Sequence, residues 1–359
     1  MLTNTKYFNM KTYINYLIIF VLGVSLAQAH ESPLIEKRKE FNFNYSSGGV
    51  EKLEIANQFG DVKVYFTTQK NITVNVQVTA NAPSPGQLDE FIESISVNGQ
   101  KNGDEVKVYT SIRKENYNMK SWNKDKNSSF KIDYSVYIPK NLELVISNSF
   151  GEVTLPDFTA PLTLNLNYCT LHAAKISNPD SKISMNYGVA NIKALLGGDI
   201  NSNFTAVNMG EMRNVNMKNN HGSLKAKYLE DIEGVMNYSG GVFGNIKEAV
   251  KLNVNYSKNF RIENIDEKVK KLEIFSNYSN IDLPISEKFN GVFDIKTSHG
   301  SFWVDPALMV HFFKNSETDG KKSGYKPKVS NSYQGKIGTT TNTDTKILII
   351  SNFGDVKIK

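Results

Sequence analysis

Cysteine is all but missing from the 359 residues. Cys169 stands alone, which excludes an intramolecular disulfide framework and any zinc site built on cysteine. An excess of one charge is missing too. Lys and Arg number 42 against 36 Asp and Glu, a net +6 with 22% charged residues, so neither a disordered polyelectrolyte nor a dedicated nucleic-acid binder is indicated. After residue 29 no apolar run approaches the length of a membrane span. No Gly-x-Ser-x-Gly elbow, phosphate loop or His-Glu-x-x-His helix occurs, which removes the common hydrolase, nucleotide and metalloprotease readings. What is abundant is asparagine, 42 residues or about one in nine, as suits a chain that turns often.

The apolar run from Tyr16 to Ala27 follows Lys6 and Lys11 and closes with Ala27-Gln28-Ala29. This is the pattern of a secretory signal peptide over residues 1–29, cleaved after Ala29. Its apolar core, about a dozen residues, is too short to span a bilayer. No cysteine follows the site, so a lipoprotein anchor is not expected. Cleavage leaves a mature charge of +4, with little electrostatic steering. The expected place of work is the periplasm, the cell surface or the medium, where nucleic acid and nucleotide cofactors are improper partners.

An internal repeat sets the expected fold. Its unit is two or three alternating apolar residues, then Asn, an aromatic, often Gly, a small or acidic residue, and a second alternating pair. Full copies are Leu53-Glu-Ile-Ala-Asn57-Gln-Phe59-Gly60-Asp-Val62-Lys-Val64, Leu144-Val-Ile146-Ser-Asn148-Ser-Phe150-Gly151-Glu-Val153-Thr-Leu155 and Ile347-Leu-Ile349-Ile-Ser-Asn352-Phe353-Gly354-Asp-Val356-Lys-Ile358. Between them the ring position recurs at Phe150, Tyr168, Tyr187, Phe204, His221, Tyr238, Tyr256, Tyr278 and His299, in steps of 17 to 22 residues. Asn precedes it at Asn167, Asn186, Asn203, Asn220, Asn237, Asn255 and Asn277, with Ser298 in that place before His299.

Alternation within each copy, as in Leu162-Thr-Leu164-Asn-Leu166, has period two and specifies strands. A unit of this size cannot bury its apolar face alone, so copies must stack on one another. The expected class is all-β: a parallel β-solenoid or β-helix with about 17–22 residues per rung and a short helix in an N-terminal excursion. Rungs at roughly 4.8 Å would make the copies from Leu144 to Val304 a rod of roughly 50 Å. Equivalent rings would then stack. Asn at the corner would take the left-handed backbone and bond the amides above and below, and the Gly after the ring would ease a sharp bend.

The expected organisation is a signal peptide at 1–29, N-terminal strands and a capping region at 30–142, a repeat rod at 143–305, a loop insertion at 306–346 and final strands at 347–359. Residues 30–47 read as an exposed lead-in whose Phe41, Phe43 and Tyr45 open the first strand. Ser84-Pro85-Gly86 opens a helix with Leu88, Phe91, Ile92 and Ile95 on one face, suited to cover the first rung. Residues 113–129, with Trp122, read as a mobile loop.

The arrangement is similar to the putative-adhesin family of exported bacterial β-strand-repeat proteins. The residues that carry the resemblance are Asn57-Gln-Phe59-Gly60-Asp-Val62, Ser147-Asn148-Ser-Phe150-Gly151-Glu-Val153 and Ser351-Asn352-Phe353-Gly354-Asp-Val356, with Val136-Tyr-Ile138-Pro139 ahead of the rod. It implies a β-solenoid at the cell envelope and carries no catalytic residues over. The chain departs from the pattern in using Tyr and His where Phe-Gly is commoner, and in the 306–346 insertion.

No catalytic, cofactor-binding or metal-binding residue is expected. His221 and His299 occupy the ring position about four rungs apart, roughly 20 Å, too far to share a metal. His172 and His311 have no partner at ligand spacing, and His30 offers copper only a new N-terminus. Asn-Tyr-Ser triplets at Asn237, Asn255 and Asn277 match a glycosylation acceptor but coincide with the corner position. Trp122 and Trp303 could stack on sugar if exposed, but Trp122 lies in a loop and Trp303 in a strand where core packing serves at least as well. The leading function is non-catalytic, adhesin-like binding or scaffolding toward an envelope or extracellular ligand, glycan or protein. One alternative is a polysaccharide lyase or hydrolase, which needs carboxylates clustered on one face; Asp199, Glu211, Glu233, Glu248, Glu263 and Asp282 fall at different offsets from their rings. The other is a sensor of envelope state, which needs a concave apolar pocket near 113–129 or 306–346.

Overall fold

A computed structural model describes residues 34–113, 128–313, 330–339 and 343–359. The signal-peptide reading, His30 and Trp122 lie outside the described residues, as do 114–127 of the loop and 314–329 and 340–342 of the insertion. Among the described residues the chain is nearly all β. Twenty-two strands form one sheet of nineteen and one of three, beside a single helix, Pro85–Ser94.

Through the middle of the chain each copy pairs in parallel with the copy before and after it. Strand Lys182–Leu195 sets Asn186 opposite Asn167 on one side and Asn203 on the other. The same register continues through Ser223–Asn237, Gly240–Asn255 and Lys271–Asn277. Between successive strands the pairing breaks at three places, as at Gly210 and Lys227, at Asn214 and Asp231, and at the ring itself. Each copy is therefore three short straight runs joined by corners.

Alternation buries one side of every run. Ile55, Ile146, Leu164, Ile183, Ile200, Met217, Gly234, Leu252, Ile274, Ile349 and Ile295 lie in register, a column in which each aliphatic chain contributes about 1.5–3 kcal/mol by leaving water. Gly234 interrupts the column for a packing reason: a Cβ there would lie 2.4 Å from the Met217 methyl that fills the gap.

Eleven rings stack along one corner, from Phe59 through Phe150, Tyr168, Tyr187, Phe204, His221, Tyr238, Tyr256, Tyr278 and Phe353 to His299. Centroids are 4.4–5.2 Å apart and planes within 3–9°. The left-handed residue is the ring-bearing one, not the Asn that the sequence pointed to. All eleven hold φ between 49° and 62°. Left-handed backbone costs an L-residue about 1–2 kcal/mol, which stacking at about 0.5–1.5 kcal/mol per pair offsets. The following glycine answers a close approach instead: a Cβ on Gly188 would sit 2.1 Å from the Cys169 carbonyl oxygen. Where that residue is Thr205, Ser239, Ser257 or Ser279, its hydroxyl donates to the carbonyl two residues before it. Tyr187→Gly is therefore expected to be more stable than Tyr187→Ala by about 0.5–1 kcal/mol in urea unfolding, the reverse of the usual order in a strand. A more stable alanine variant would show that the corner carries no strain.

Both ends depart from parallel pairing. At the first, Ile35–Ser46 pairs antiparallel with Asn71–Ala82 along its whole length, so the charged lead-in is already strand, and Asn71–Ala82 pairs antiparallel with Ser129–Ile138. The helix lies against this layer with Leu88, Phe91, Ile92 and Ile95 buried, and Lys39 Nζ donates to the carbonyls of Ile92 and Ile95 at 3.4 and 3.3 Å. Phe91 packs on Phe130, which meets Phe59 edge-on at 5.0 Å and closes the ring stack. Antiparallel strands need only short turns, so they can end a stack that a further crossover would extend.

At the second end chain order and spatial order part. Strand Lys346–Asn352 lies between Lys271–Asn277 and Gly291–Ser298, parallel to both. Strand Gly291–Ser298 is then closed by Ser330–Ile337, antiparallel. His221 and His299 are consequently five ring steps apart, one more than sequence order gives.

Candidate functional site

The stacked corner is the conspicuous surface feature, and its geometry argues against binding by ring stacking. Each interior ring has both faces covered by its neighbours, so only edges and phenol hydroxyls meet solvent. His221 lies 5.0 Å from both Phe204 and Tyr238, and His299 rests on Phe353 at 4.4 Å. Beside the rings runs a chain of amide hydrogen bonds, each Asn Nδ2 donating to Oδ1 one rung back, from Asn186 to Asn167 at 3.0 Å through to Asn352 to Asn277 at 3.0 Å. Asn237, Asn255 and Asn277 of the glycosylation triplets are all engaged in it. Asn57, Asn148 and Asn219, two residues before their rings, point inward and are buried.

Inside the first rungs Asn57 Nδ2 donates to the Ile132 carbonyl at 3.0 Å, Thr110 Oγ1 donates to Asn57 Oδ1 at 3.2 Å, and the same hydroxyl meets the Tyr134 phenol at 2.7 Å. Burial pushes the Tyr134 phenol well above its ordinary range, against a smaller lowering by the Thr110 bond. Cys169 is buried, its thiol raised by burial and only partly eased by the hydrogen bonds around it, which leaves it inert rather than nucleophilic.

The six acids whose clustering would mark a carbohydrate-cleaving centre are each tied to a different partner. Glu211 meets Arg213 at 2.8 Å, Glu233 meets Lys251 at 2.6 Å, Glu248 meets Lys270 at 2.6 Å, Glu263 meets Arg261 at 2.9 Å and Asp282 meets Lys359 at 2.5 Å. Asp199 accepts from Asn216 at 3.0 Å. Among the described residues no group of three or more His, Cys, Asp and Glu could hold a metal ion. His172 does have a neighbour, Glu152 at 3.9 Å across one rung, and His311 is exposed. Trp303 points outward and is 45% exposed rather than packed in the core.

Two concave features remain. The first is an open trough of about 530 Å³ crossing five rungs. One side is the in-register column Thr154, His172, Asn191 and Asn208, and the other is a corner where Lys193 and Lys227 alternate with Ala174 and Gly210. Asn208 Nδ2 donates to Asn191 Oδ1 at 3.1 Å, leaving Asn191 Nδ2 and Asn208 Oδ1 facing outward with no protein partner among the described residues. Lys193 and Lys227 have no ion-pair partner there either. The sequence held a signal for this column, since its four residues recur at the spacing of the rings and four positions after them.

The second is a cleft of about 360 Å³ where strands Lys271–Asn277, Lys346–Asn352, Gly291–Ser298 and Ser330–Ile337 lie side by side. Val292, Leu348 and Phe313 form its apolar walls, and Phe313 is held over the sheet by its amide, which donates to the Gln334 carbonyl at 2.9 Å. This is a concave apolar pocket beside the 306–346 insertion.

No protein-family model matches the chain, and no curated protein matches it in sequence. Two solved structures align along most of it. A protein described as a putative cell adhesion protein from Clostridium sporogenes ATCC 15579 shares 12% identity over 90% of this chain and 99% of its own, at a TM-score of 0.21. A putative adhesin from Bacteroides fragilis NCTC 9343 shares 12% over 89% and 97%, at a TM-score of 0.29. No helix among the described residues is long and apolar enough to cross a membrane.

Proposed function

We propose that the chain is an exported, non-catalytic β-solenoid of the cell envelope that binds an extended glycan along the trough, an adhesin-like role. The observation that carries this reading is the in-register column of Thr154, His172, Asn191 and Asn208, with Lys193 and Lys227 along the facing corner. A linear polymer lying along the stack meets one polar side chain of the column on each of its rungs and a lysine on every second rung of the facing corner. The outward amide atoms of Asn191 and Asn208 suit sugar hydroxyls, and the trough keeps its shape without a ligand because every rung is hydrogen-bonded to the next. The pairwise neutralisation of the acids supports binding rather than bond cleavage, which would need two carboxylates free to act together.

A glycan and cell-wall array on the purified protein tests this. Binding is expected, with at least a tenfold loss in Asn191→Ala/Asn208→Ala and in Lys193→Glu/Lys227→Glu. The substituted side chains point outward, so circular dichroism should be unchanged. Silence across the array, or binding that these variants leave intact, would move the role from adhesion to pure architecture.

A further inference from the structure

The corner along one side of the trough has a two-rung period set by its backbone. Lys193, Gly210, Lys227 and Gly244 succeed one another there, one to a rung. A Cβ on Gly210 would sit 2.3 Å from the Lys193 carbonyl oxygen, and one on Gly244 would sit 2.4 Å from that of Lys227, so each lysine excludes a side chain from the rung after it. The two lysines therefore recur at two rungs, roughly 9.6 Å. The facing column runs on past the trough. Lys63 stands in register before Thr154 and Lys225 after Asn208, so the polar track has a lysine at each end. Lys63, Lys193, Lys225 and Lys227 are all exposed, and none forms an ion pair among the described residues. Acids nearby are engaged. Asp61 meets Lys131 at 2.8 Å, Glu211 meets Arg213 at 2.8 Å, and Glu152 accepts from Thr154 Oγ1 at 3.0 Å. The face presents positive charge.

We infer that the glycan proposed above for the trough is acidic, a linear polymer with one anionic group per disaccharide that meets Lys193 and Lys227 in turn, an inference that rests on that proposal. In an extended chain of β-linked sugars one unit is about as long as one rung, roughly 4.8 Å, so groups borne on alternate sugars return at the spacing of the two lysines. Asn208, on the rung where the corner has only Gly210, is left for the uncharged sugar between them. Lysines at the rim of an open trough attract anions without being taken out of water, so no burial cost opposes the pairing.

Calorimetry on the whole protein tests this with oligosaccharides of equal length: hyaluronan, with one carboxylate per disaccharide; κ-carrageenan, with one sulfate; and hyaluronan whose carboxylates have been reduced to alcohols. A charged probe is expected to bind at least tenfold more tightly than the reduced one and to weaken at least tenfold between about 0.05 and about 0.5 M NaCl. The tighter of the two charged probes identifies the anion. Lys193→Met/Lys227→Met should weaken the charged probe at least tenfold and leave the reduced one unchanged, whereas Lys218→Met, an exposed lysine on another run, should alter neither. Equal binding of native and reduced hyaluronan, or charged binding that the two lysines do not affect or that Lys218→Met weakens as much, would overturn the inference and leave glycan binding standing. Failure of both charged probes would overturn it too, and with a silent array glycan binding falls as well.

Discussion

Removal of residues 346–359 is expected to strip protection from the C-terminal end of the stack while leaving its middle intact. Strand Lys346–Asn352 is the shared parallel neighbour of Lys271–Asn277 and Gly291–Ser298, and Val356–Ile358 stands in the same way between Ile281–Leu283 and Phe302–Val304. Ile347, Ile349, Val356 and Ile358 are all 2% exposed or less. At about 1.5–3 kcal/mol each, their loss is comparable with the whole stability of a typical domain. The two sides could close the gap only by sliding a full rung, which their connections, already spanning it, do not readily allow. Because stacked repeats depend on nearest neighbours, the damage should stay local. Hydrogen exchange is the measurement: amides of 271–298 and 330–337 should exchange freely in the truncated chain, those of 162–237 should stay protected, and a peptide of residues 346–359 added back should restore the lost protection. Unchanged protection at 271–298 would mean that the last strand is a passenger.

The intercalation also bears on folding. The two rungs nearest that end cannot be completed until the last strand is available, so Asn277 waits for a partner 75 residues later, at Asn352. Contacts of such separation are slow to form, whereas the 17-residue contacts of the middle are made early. The middle of the stack is therefore the natural nucleus, and the C-terminal end its last step.

How far the sequence carried this picture differs from place to place. Strand identity, parallel pairing of the middle copies and the ring positions were legible because each leaves a mark at fixed spacing, as Tyr168, Tyr187 and Phe204 do. The helix over Leu88, Phe91, Ile92 and Ile95 was legible from its period. The order of the last rungs was not, because spacing from Tyr278 to His299 resembles one more step. A finer mark was present: Ser298 cannot extend a run of amides, so the rung that carries it belongs at the end, and Asn352 fits against Asn277. The left-handed ring residue was illegible because statistics assign that conformation to Asn and Gly, whereas here stacking holds the rings in it. The walls of the cleft beside 306–346 were not legible, because Val292, Leu348 and Phe313 come from segments distant in sequence and meet only once the last strand is inserted.

The amide run gives the second large effect. Asn203 Nδ2 donates to Asn186 Oδ1 at 2.9 Å, Asn220 Nδ2 donates to Asn203 Oδ1 at 2.7 Å, and Asn220 Oδ1 accepts from Asn237 at 2.8 Å. Asn203→Asp/Asn220→Asp removes both donors and sets two carboxylates one rung apart. Lost hydrogen bonds cost about 0.5–1.5 kcal/mol each, and two charges at roughly 5 Å repel by about 3 kcal/mol at an effective dielectric of 20. With solvent screening on the outer side, a loss of about 3–5 kcal/mol at pH 7 is expected. Each carboxylate raises the other's folded-state pKa above its unfolded value near 3.9, so the folded chain takes up protons first and the variant regains stability as pH falls from 7 toward 4. A single shared proton restores one donor between the pair. Asn203→Leu/Asn220→Leu loses the same bonds without charge, so its deficit against the parent chain should hold constant over that range. Urea unfolding at several pH values separates the two. A deficit in the aspartate variant that stays flat with pH would show that the two side chains turn to solvent and that the amides do not bind rung to rung.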